Sequence, residues 1–290
     1  MKEHERLNVG TKGDRFHKSI LKQILADGYM DENPRPHYAD GTPAHTLSIN
    51  HIMTKYDLSK RECPILTLRP IAWKSAVKEI LWIYQMQSNK LEDLHNLDIK
   101  YWDQWDIGDG TIGCRYGETI RKRDLVNKIL KGLMENPFGR RHVICMWQED
   151  DFKTPGLNPC CYETIWNVRR GKDGKMYLDM LMNQRSSDFS VSGSINELQY
   201  VALQLMFAAH CGYEPGVFTH VTENVQIYDR HVEQAKELIR RDPIPCNPRL
   251  VLHGEGKSFY DFTIDDFELV DYPLDKIKEK NPQLKFDLGI

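Results

Sequence analysis

Cys160 stands between Pro159 and Cys161, after a loop at residues 153–158 that contains Pro155 and Gly156 and before a β-branched, aromatic run that begins at Tyr162. A thiol placed there is accessible yet anchored to a rigid sheet, which suits a nucleophile. Both thiols also suit plain packing at the start of a strand, and their spacing does not choose between the two. Residues 184–188 (QRSSD) follow a later run of the same kind and crowd a guanidinium, two hydroxyls and a carboxylate into five positions. Such a group suits a phosphate, although a solvated turn has the same composition. Glu79 interrupts an apolar helical pattern, where a carboxyl needs either a partner such as Lys74 or Lys78 or a role in proton transfer.

Periodicity identifies the elements that must hold these groups. Residues 71–87 and 124–134 place apolar side chains at helical spacing, and Asn136-Pro137 stops the second run. From Arg141 the period changes to that of strands at residues 142–147, 162–169 and 175–182, the last two joined by a turn at Gly171-Lys172-Asp173-Gly174. Residues 194–210 return to helix, with Ser194 as N-cap and Glu197 three residues on. A strand at 216–228 and a helix at 229–240 follow, and the chain beyond Asp242-Pro243 is rich in turns. No repeat, linker or low-complexity tract divides the chain, so residues 1–290 read as a single large α+β domain without regular βα alternation.

Composition narrows the class. The 39 basic and 42 acidic side chains leave a net charge of −3, which favours neither a polybasic nucleic-acid binder nor an acidic disordered tail. The amino terminus lacks the apolar core of a signal peptide, and residues 201–209, the least polar long window, are too short to span a bilayer, so a cytoplasmic protein without membrane or DNA partners is expected. Seven cysteines at irregular positions form neither a disulfide framework nor metal-ligand pairs, so they are expected to be reduced and no metal is expected.

In chain order, residues 41–48 (GTPAHTLS), 78–82 (KEILW), 102–105 (WDQW), Tyr116-Gly117, Arg140-Arg141-His142, Pro159-Cys160, 184–188 (QRSSD), Asn196, Tyr228 and 261–267 (DFTIDDF) resemble the thymidylate synthase family, from about Gly41 to Ile290. The GTPAHTLS stretch and Cys160-Cys161-Tyr162-Glu163-Thr164 look closer to its divergent bacillus and phage branch. The resemblance implies a β-sheet layer packed with long helices and a sheet face that forms a homodimer interface. It implies methylation of dUMP to dTMP with 5,10-methylenetetrahydrofolate as one-carbon and hydride donor, through a Cys160 adduct at uracil C6. Glu79, Tyr116 and Arg185 match the family's other catalytic positions. Arg35, Ser186, Asn196 and Tyr228 match dUMP-binding positions, as do Arg140 and Arg141, which the resemblance assigns to the partner subunit. Trp102, Trp105, Asp188, Val191 and the Ile290 carboxylate match positions that bind or enclose the folate.

The sequence departs from the common family pattern in several places. Cys161 replaces a histidine after the nucleophile, and Gln226 replaces a histidine two residues before the sugar-binding Tyr228; glutamine still donates and accepts hydrogen bonds but has no imidazole proton chemistry. Val191 replaces a leucine, Ser192-Gly193-Ser194-Ile195 replaces a glycine-hydrophobe-proline-phenylalanine stretch, and Leu288-Gly289-Ile290 replaces the usual tail. These changes border the region that must exclude water. They keep open dUMP hydroxymethylation, in which water captures the methylene intermediate, and a catalytically weak RNA- or nucleotide-binding relative. Intact Cys160, Glu79, Arg185 and Asn196 argue against the binding relative, and Trp102 with the closing tail favours hydride over water, hence methylation.

Overall fold

The computed structural model describes residues 10–289. Helix α1 (Lys12–Asp27) begins at a capping box in which the Thr11 hydroxyl accepts from the Asp14 amide, and the Asp14 carboxylate from the Thr11 amide, each at 2.9 Å. In chain order there follow β1 (Tyr29–Met30), β2 (Thr46–Asp57), α2 (Trp73–Ile80), α3 (Leu91–His95), α4 (Gly117–Arg123), α5 (Leu125–Glu135), β3 (His142–Cys145), β4 (Cys161–Arg170), β5 (Met176–Asp188), α6 (Phe189–Cys211), β6 (Glu214–Tyr228), α7 (Val232–Arg240), β7 (Arg249–Leu252), β8 (Phe267–Val270) and α8 (Leu274–Lys280). Among the described residues no helix is long and apolar enough to cross a membrane, and no cluster of three or more His, Cys, Asp or Glu side chains could hold a metal.

Six strands form one sheet in the order β1-β2-β6-β5-β4-β3, while β7 and β8 pair separately. Only β5 and β6 run parallel, so the chain needs a crossover between them, and α6 supplies it. This geometry puts α6 under the sheet against β5 and β6, with α2 packed on its other side. A helix enclosed in this way must be apolar nearly all round, and Leu198, Tyr200–Phe207 and Ala208 are all buried. Gly212, with φ +71°, ends it in the left-handed conformation that lacks a Cβ penalty in glycine.

Two expectations require correction here. The QRSSD cluster is not placed after a strand: β5 continues through Asp188, because its parallel ladder with β6 pairs Gln184 with Thr222, Ser186 with Asn224 and Asp188 with Gln226. Likewise Ser194 is not an N-cap. The helix starts at Phe189 directly off β5, which places Ser194 and Glu197 inside it and buries both. The remaining runs of sequence periodicity coincide with α2, α5, β3, β4, β6 and α7, with shifts of a few residues at their ends.

The inner face of the sheet carries the core. One row crosses it from Tyr56 through Phe218 and Met180 to Trp166, and Trp166 stacks on Phe207 of α6 at 4.4 Å between ring centroids. On the opposite face the row Lys55, Thr219, Leu181, Ile165 and Val143 is only partly covered, and Met53 beside Val221 is 58% exposed. Trp166→Ala removes a fully buried indole from this core and is expected to cost about 3–5 kcal/mol. Urea unfolding followed by circular dichroism checks it; a shift in midpoint equivalent to less than about 1 kcal/mol contradicts the packing described, since emptying so large a buried site always costs more.

Candidate active site

Cys160 lies at the last position before β4, and three groups hold it there. The Arg185 guanidinium donates from Nε to Pro159 O at 2.9 Å and from Nη2 to Asn158 O at 2.8 Å, and Nη2 stands 3.7 Å from Cys160 Sγ. The backbone of Arg185 adds an N–H bond to Cys160 O at 2.9 Å. On the other side, Cys160 N–H donates to the Tyr116 hydroxyl at 2.9 Å. Tyr116 itself has φ +46° and ψ −109°, a conformation a tyrosine occupies only when its surroundings force it, and such strain concentrates at functional sites.

Burial pushes the Cys160 thiol up from its ordinary range, while the Arg185 charge, the Tyr116 hydroxyl and the more distant charge of Arg35 pull it back. Cys161 behaves differently. Its side chain points to the opposite face, into the main core, and burial first, then the neighbouring Cys160 and Glu79, hold its thiol far above the ordinary range. The residue that replaces the expected histidine is therefore packed away from the Cys160 thiol.

Glu79 sits two residues before a π-helical segment, Leu81–Gln85, a local widening of the helix that recurs at functional sites. Its carboxyl is buried, accepts a hydrogen bond from the Tyr101 hydroxyl, and is pushed upward by desolvation, with Tyr101, Gln199 and Trp102 opposing the shift. The Trp102 indole N–H lies near this carboxyl but makes no well-formed hydrogen bond. Trp102 also packs against Trp105 at 5.0 Å and Tyr116 at 5.3 Å, so an aromatic wall joins Glu79 to the Cys160 loop.

Asn196 projects from α6 between two glutamines: Gln184 Nε2 donates to its Oδ1 at 3.2 Å, and its Nδ2 donates to Gln199 Oε1 at 3.0 Å. Ser186 is half-buried in β5, two residues past Gln184, whose Nε2 also donates to Ser186 O at 2.9 Å. Asp188, at the end of β5, keeps Oδ1 without a hydrogen bond, 3.8 Å from Nδ1 of the buried His231. Burial opposes charge on His231, but Asp188 and Asp287 outweigh it and raise its pKa. Val191 is half-buried, and its carbonyl accepts from the buried Arg69 at 2.7 Å. Gln226 pairs in register with Ser48 and Asp188. Tyr228 donates to Gly289 O at 3.3 Å, and burial pushes its phenol up to about 12.

Three expected groups are not assembled in this way. Arg35 is exposed and reaches the site only through its charge. Arg140 and Arg141 are exposed at the start of β3, at the end of the ladder where His142 pairs with Trp166, far from the Cys161 end of β4. Ile290 lies outside the described residues. Conversely, sequence patterns did not single out Tyr101, Gln199, Arg69 or His231. Nor did they reveal Arg115, whose buried guanidinium fastens the loop before Cys160 by donating to Asp151 O, to Thr154 O at 2.8 Å and to Asn158 Oδ1 at 3.2 Å. Tyr101 adjoins the WDQW motif, but no spacing rule links it to Glu79.

The family model described as thymidylate synthase matches residues 15–282. The chain belongs to the thymidylate synthase family. It is 50% identical over 284 residues to thymidylate synthases of Streptococcus pneumoniae and Streptococcus gordonii, covering 97% of this chain and 100% of each relative. A solved structure, the thermostable thymidylate synthase A from Bacillus subtilis, superimposes with a TM-score of 0.86 at 37% identity, over 96% of this chain and 99% of that one. Among thymidylate synthase-like chains the single mixed sheet with its central helix is thus the shared scaffold.

The thiol's surroundings set its pH dependence. Burial raises the Cys160 pKa, so the thiolate is scarce at neutral pH and grows as pH rises toward and past the ordinary thiol value of about 8.5. Arg185 opposes that rise, so Arg185→Ala should move the alkylation profile of Cys160 to still higher pH. Mass-spectrometric alkylation rates with iodoacetamide measure this; an unchanged or lowered profile contradicts the assigned role of the guanidinium.

Proposed function

We infer that the chain is a folate-dependent thymidylate synthase that converts dUMP and 5,10-methylenetetrahydrofolate to dTMP and dihydrofolate. The observation that carries this reading is the arrangement of Cys160 beside the Arg185 guanidinium and Tyr116, with Trp102 packed on Tyr116 next to the buried Glu79 carboxyl and Asn196 held between Gln184 and Gln199. Cys160 thiolate adds to C6 of uracil, and the electron pair moves through C5 toward O4, making C5 nucleophilic. Burial pushes the Glu79 carboxyl up from its ordinary range, which suits it to pass a proton toward O4 and take it back and so ease formation of the enolate. The Asn196 amide offers both a donor for O4 and an acceptor for N3–H, the pattern of uracil rather than cytosine.

For the folate, buried groups supply a fit. Asp188 Oδ1 and the Trp102 indole N–H are both without a hydrogen bond, and the Trp102–Trp105 pair offers an aromatic surface for a flat ring. The folate supplies the one-carbon unit and then the hydride. This chain's residues hold it, exclude water and, after the C5 proton is lost and the methyl is complete, release Cys160 from C6. The closed aromatic packing of Trp102 on Trp82 and Tyr116 favours hydride over water as the final donor.

Arg185 and Ser186 bind the nucleotide phosphate, Arg35 adds positive charge, Gln226 and Tyr228 hold the sugar, and Val191 and the Ile290 carboxylate line the folate side. Arg140 and Arg141 complete the phosphate site from a second subunit. Two features support this: both arginines lie at the far end of the sheet edge, and the outer row from Lys55 to Val143 is apolar enough to pair with its own copy.

Purified protein with dUMP and methylenetetrahydrofolate should produce dTMP by mass together with dihydrofolate absorbance; 5-hydroxymethyl-dUMP without dihydrofolate, or no product, defeats the reading. Cys160→Ser should lose covalent trapping of 5-fluoro-dUMP in the presence of the folate, while Cys161→Ser keeps it. Mixing Arg141→Ala chains with Cys160→Ala chains, each inactive alone, should restore activity through hybrid dimers with one intact site; no recovery under proven subunit exchange counts against sites shared between chains.

A further inference from the structure

Glu197 and His220 take no part in the chemistry above, yet both are buried, His220 one hydrogen bond from Gln184 and Glu197 one beyond it. The Glu197 carboxylate on α6 accepts from Thr54 Oγ1 at 2.6 Å and from the Tyr56 hydroxyl at 3.2 Å. His220 on β6 places Nδ1 3.2 Å from Glu197 Oε1 and Nε2 2.9 Å from Gln184 Oε1, with Thr222 Oγ1 3.0 Å from the same Nε2. Phe218 stacks parallel to the imidazole at 6.3 Å. From Gln184 the chain continues through Asn196 to Gln199, as described above.

Counting protons leaves one consistent arrangement. Both amide hydrogens of Gln184 are committed, one to Ser186 O and one to Asn196 Oδ1, so Gln184 Oε1 is an acceptor and His220 Nε2 must carry a proton. Thr54 and Tyr56 already donate to Glu197, and the hydrogen bond between Glu197 and Nδ1 needs one further proton between them, whichever atom holds it. Without a proton on Nε2, the Gln184 amide would turn over to donate to the ring. Its carbonyl would then face Ser186 O and Asn196 Oδ1, and Asn196 would turn over in response. An overturned Asn196 presents the base with the pattern suited to cytosine, an acceptor for a 4-amino group and a donor for N3.

We propose that His220, steadied by Glu197, is a positioning residue for base selection: its Nε2–H fixes the Gln184 amide and, through it, the orientation of the Asn196 amide that favours uracil. The proposal rests on the dUMP-binding role of Asn196. It adds a determinant of specificity that never touches the nucleotide.

The test measures dissociation constants of dUMP and dCMP for wild type, His220→Phe, Glu197→Gln and Asn196→Asp. His220→Phe keeps the ring against Phe218 but removes both nitrogens, and the dUMP preference should fall roughly tenfold or more, the scale set by one mispaired buried polar group. Asn196→Asp should shift the ratio in the same direction. Glu197→Gln should keep the wild-type ratio, because a glutamine amide can donate to Nδ1 and leave the proton on Nε2. Equal weakening of both nucleotides in His220→Phe, or an unchanged ratio, overturns the positioning role. Wild-type protein that does not bind dUMP overturns instead the functional reading beneath it. Should His220→Phe not fold, long-range proton–nitrogen NMR of ¹⁵N-histidine-labelled wild type decides: a protonated Nε2 at His220, assigned by its absence in His220→Gln, supports the proposal, and a bare Nε2 overturns it.

Discussion

One guanidinium holds the reactive end of the sheet together. Arg185 leaves β5 and bonds two successive carbonyls of the loop before β4, those of Asn158 and Pro159, while its own backbone amide bonds Cys160. The planar fork of an arginine can reach both carbonyls and the thiol at once, which an ammonium on a flexible stem cannot do with the same order. The position of Cys160 therefore depends on β5 being in register with β4. That register depends in turn on β5 pairing with β6, and the β5–β6 pairing exists because α6 is long enough to carry the chain back across the sheet. A one-residue slip of β5 against β4 would turn Arg185 to the other face.

The same crossover explains why so many polar side chains are buried beneath the sheet. Placing α6 under β5 and β6 encloses Glu197, Gln199, Gln184 and His220, groups that would each cost about 1–3 kcal/mol if left unpaired. They are instead linked to one another, to Thr54 and Tyr56 of β2 and to Asn196. Apart from Gln199 Nε2, which has no partner, these groups hold one another in place, because turning one strands its neighbour. A rigid polar interior is what a pocket that must distinguish two similar bases requires.

How much of this was legible in the sequence differed from residue to residue. Cys160, Arg185 and Glu79 could be picked out because each is chemically conspicuous in its setting, and α2, α5 and α7 because their apolar stripes follow a helical period. β2 was hidden because its most buried positions are mainly polar, Thr46, Ser48 and Thr54 with Tyr56, while Leu47 and Ile49 pack on a second, smaller cluster and Met53 is exposed, so no single apolar face marks the strand. The N-terminal turn of α6 was hidden because Phe189–Ser194 is rich in serine, which usually marks a loop or cap, and only the burial of Ser190 and Ser194 within the tertiary structure makes a helix of it. Tyr101, Arg115 and His220 act through contacts between elements distant in the chain, and no local pattern encodes these.

The departures from the usual family pattern fall into two kinds. Cys161 is a packing residue: the pleat sends its side chain into the core, where Tyr200 donates to its carbonyl at 3.4 Å and a large imidazole would have to displace packed aromatic rings. The tail is a different matter. At Gly289 an added Cβ would lie 2.7 Å from the Tyr228 ring and 2.8 Å from the Ala44 methyl, closer than side chains approach, so glycine is the residue that lets the tail lie flat on Tyr228. In that position Gly289 O accepts the hydrogen bond of the Tyr228 hydroxyl, the same hydroxyl assigned to the sugar. The Tyr228 hydroxyl keeps its acceptor lone pairs while it donates to the tail, and the small residue that permits the close contact ties the tail to the Tyr228 ring.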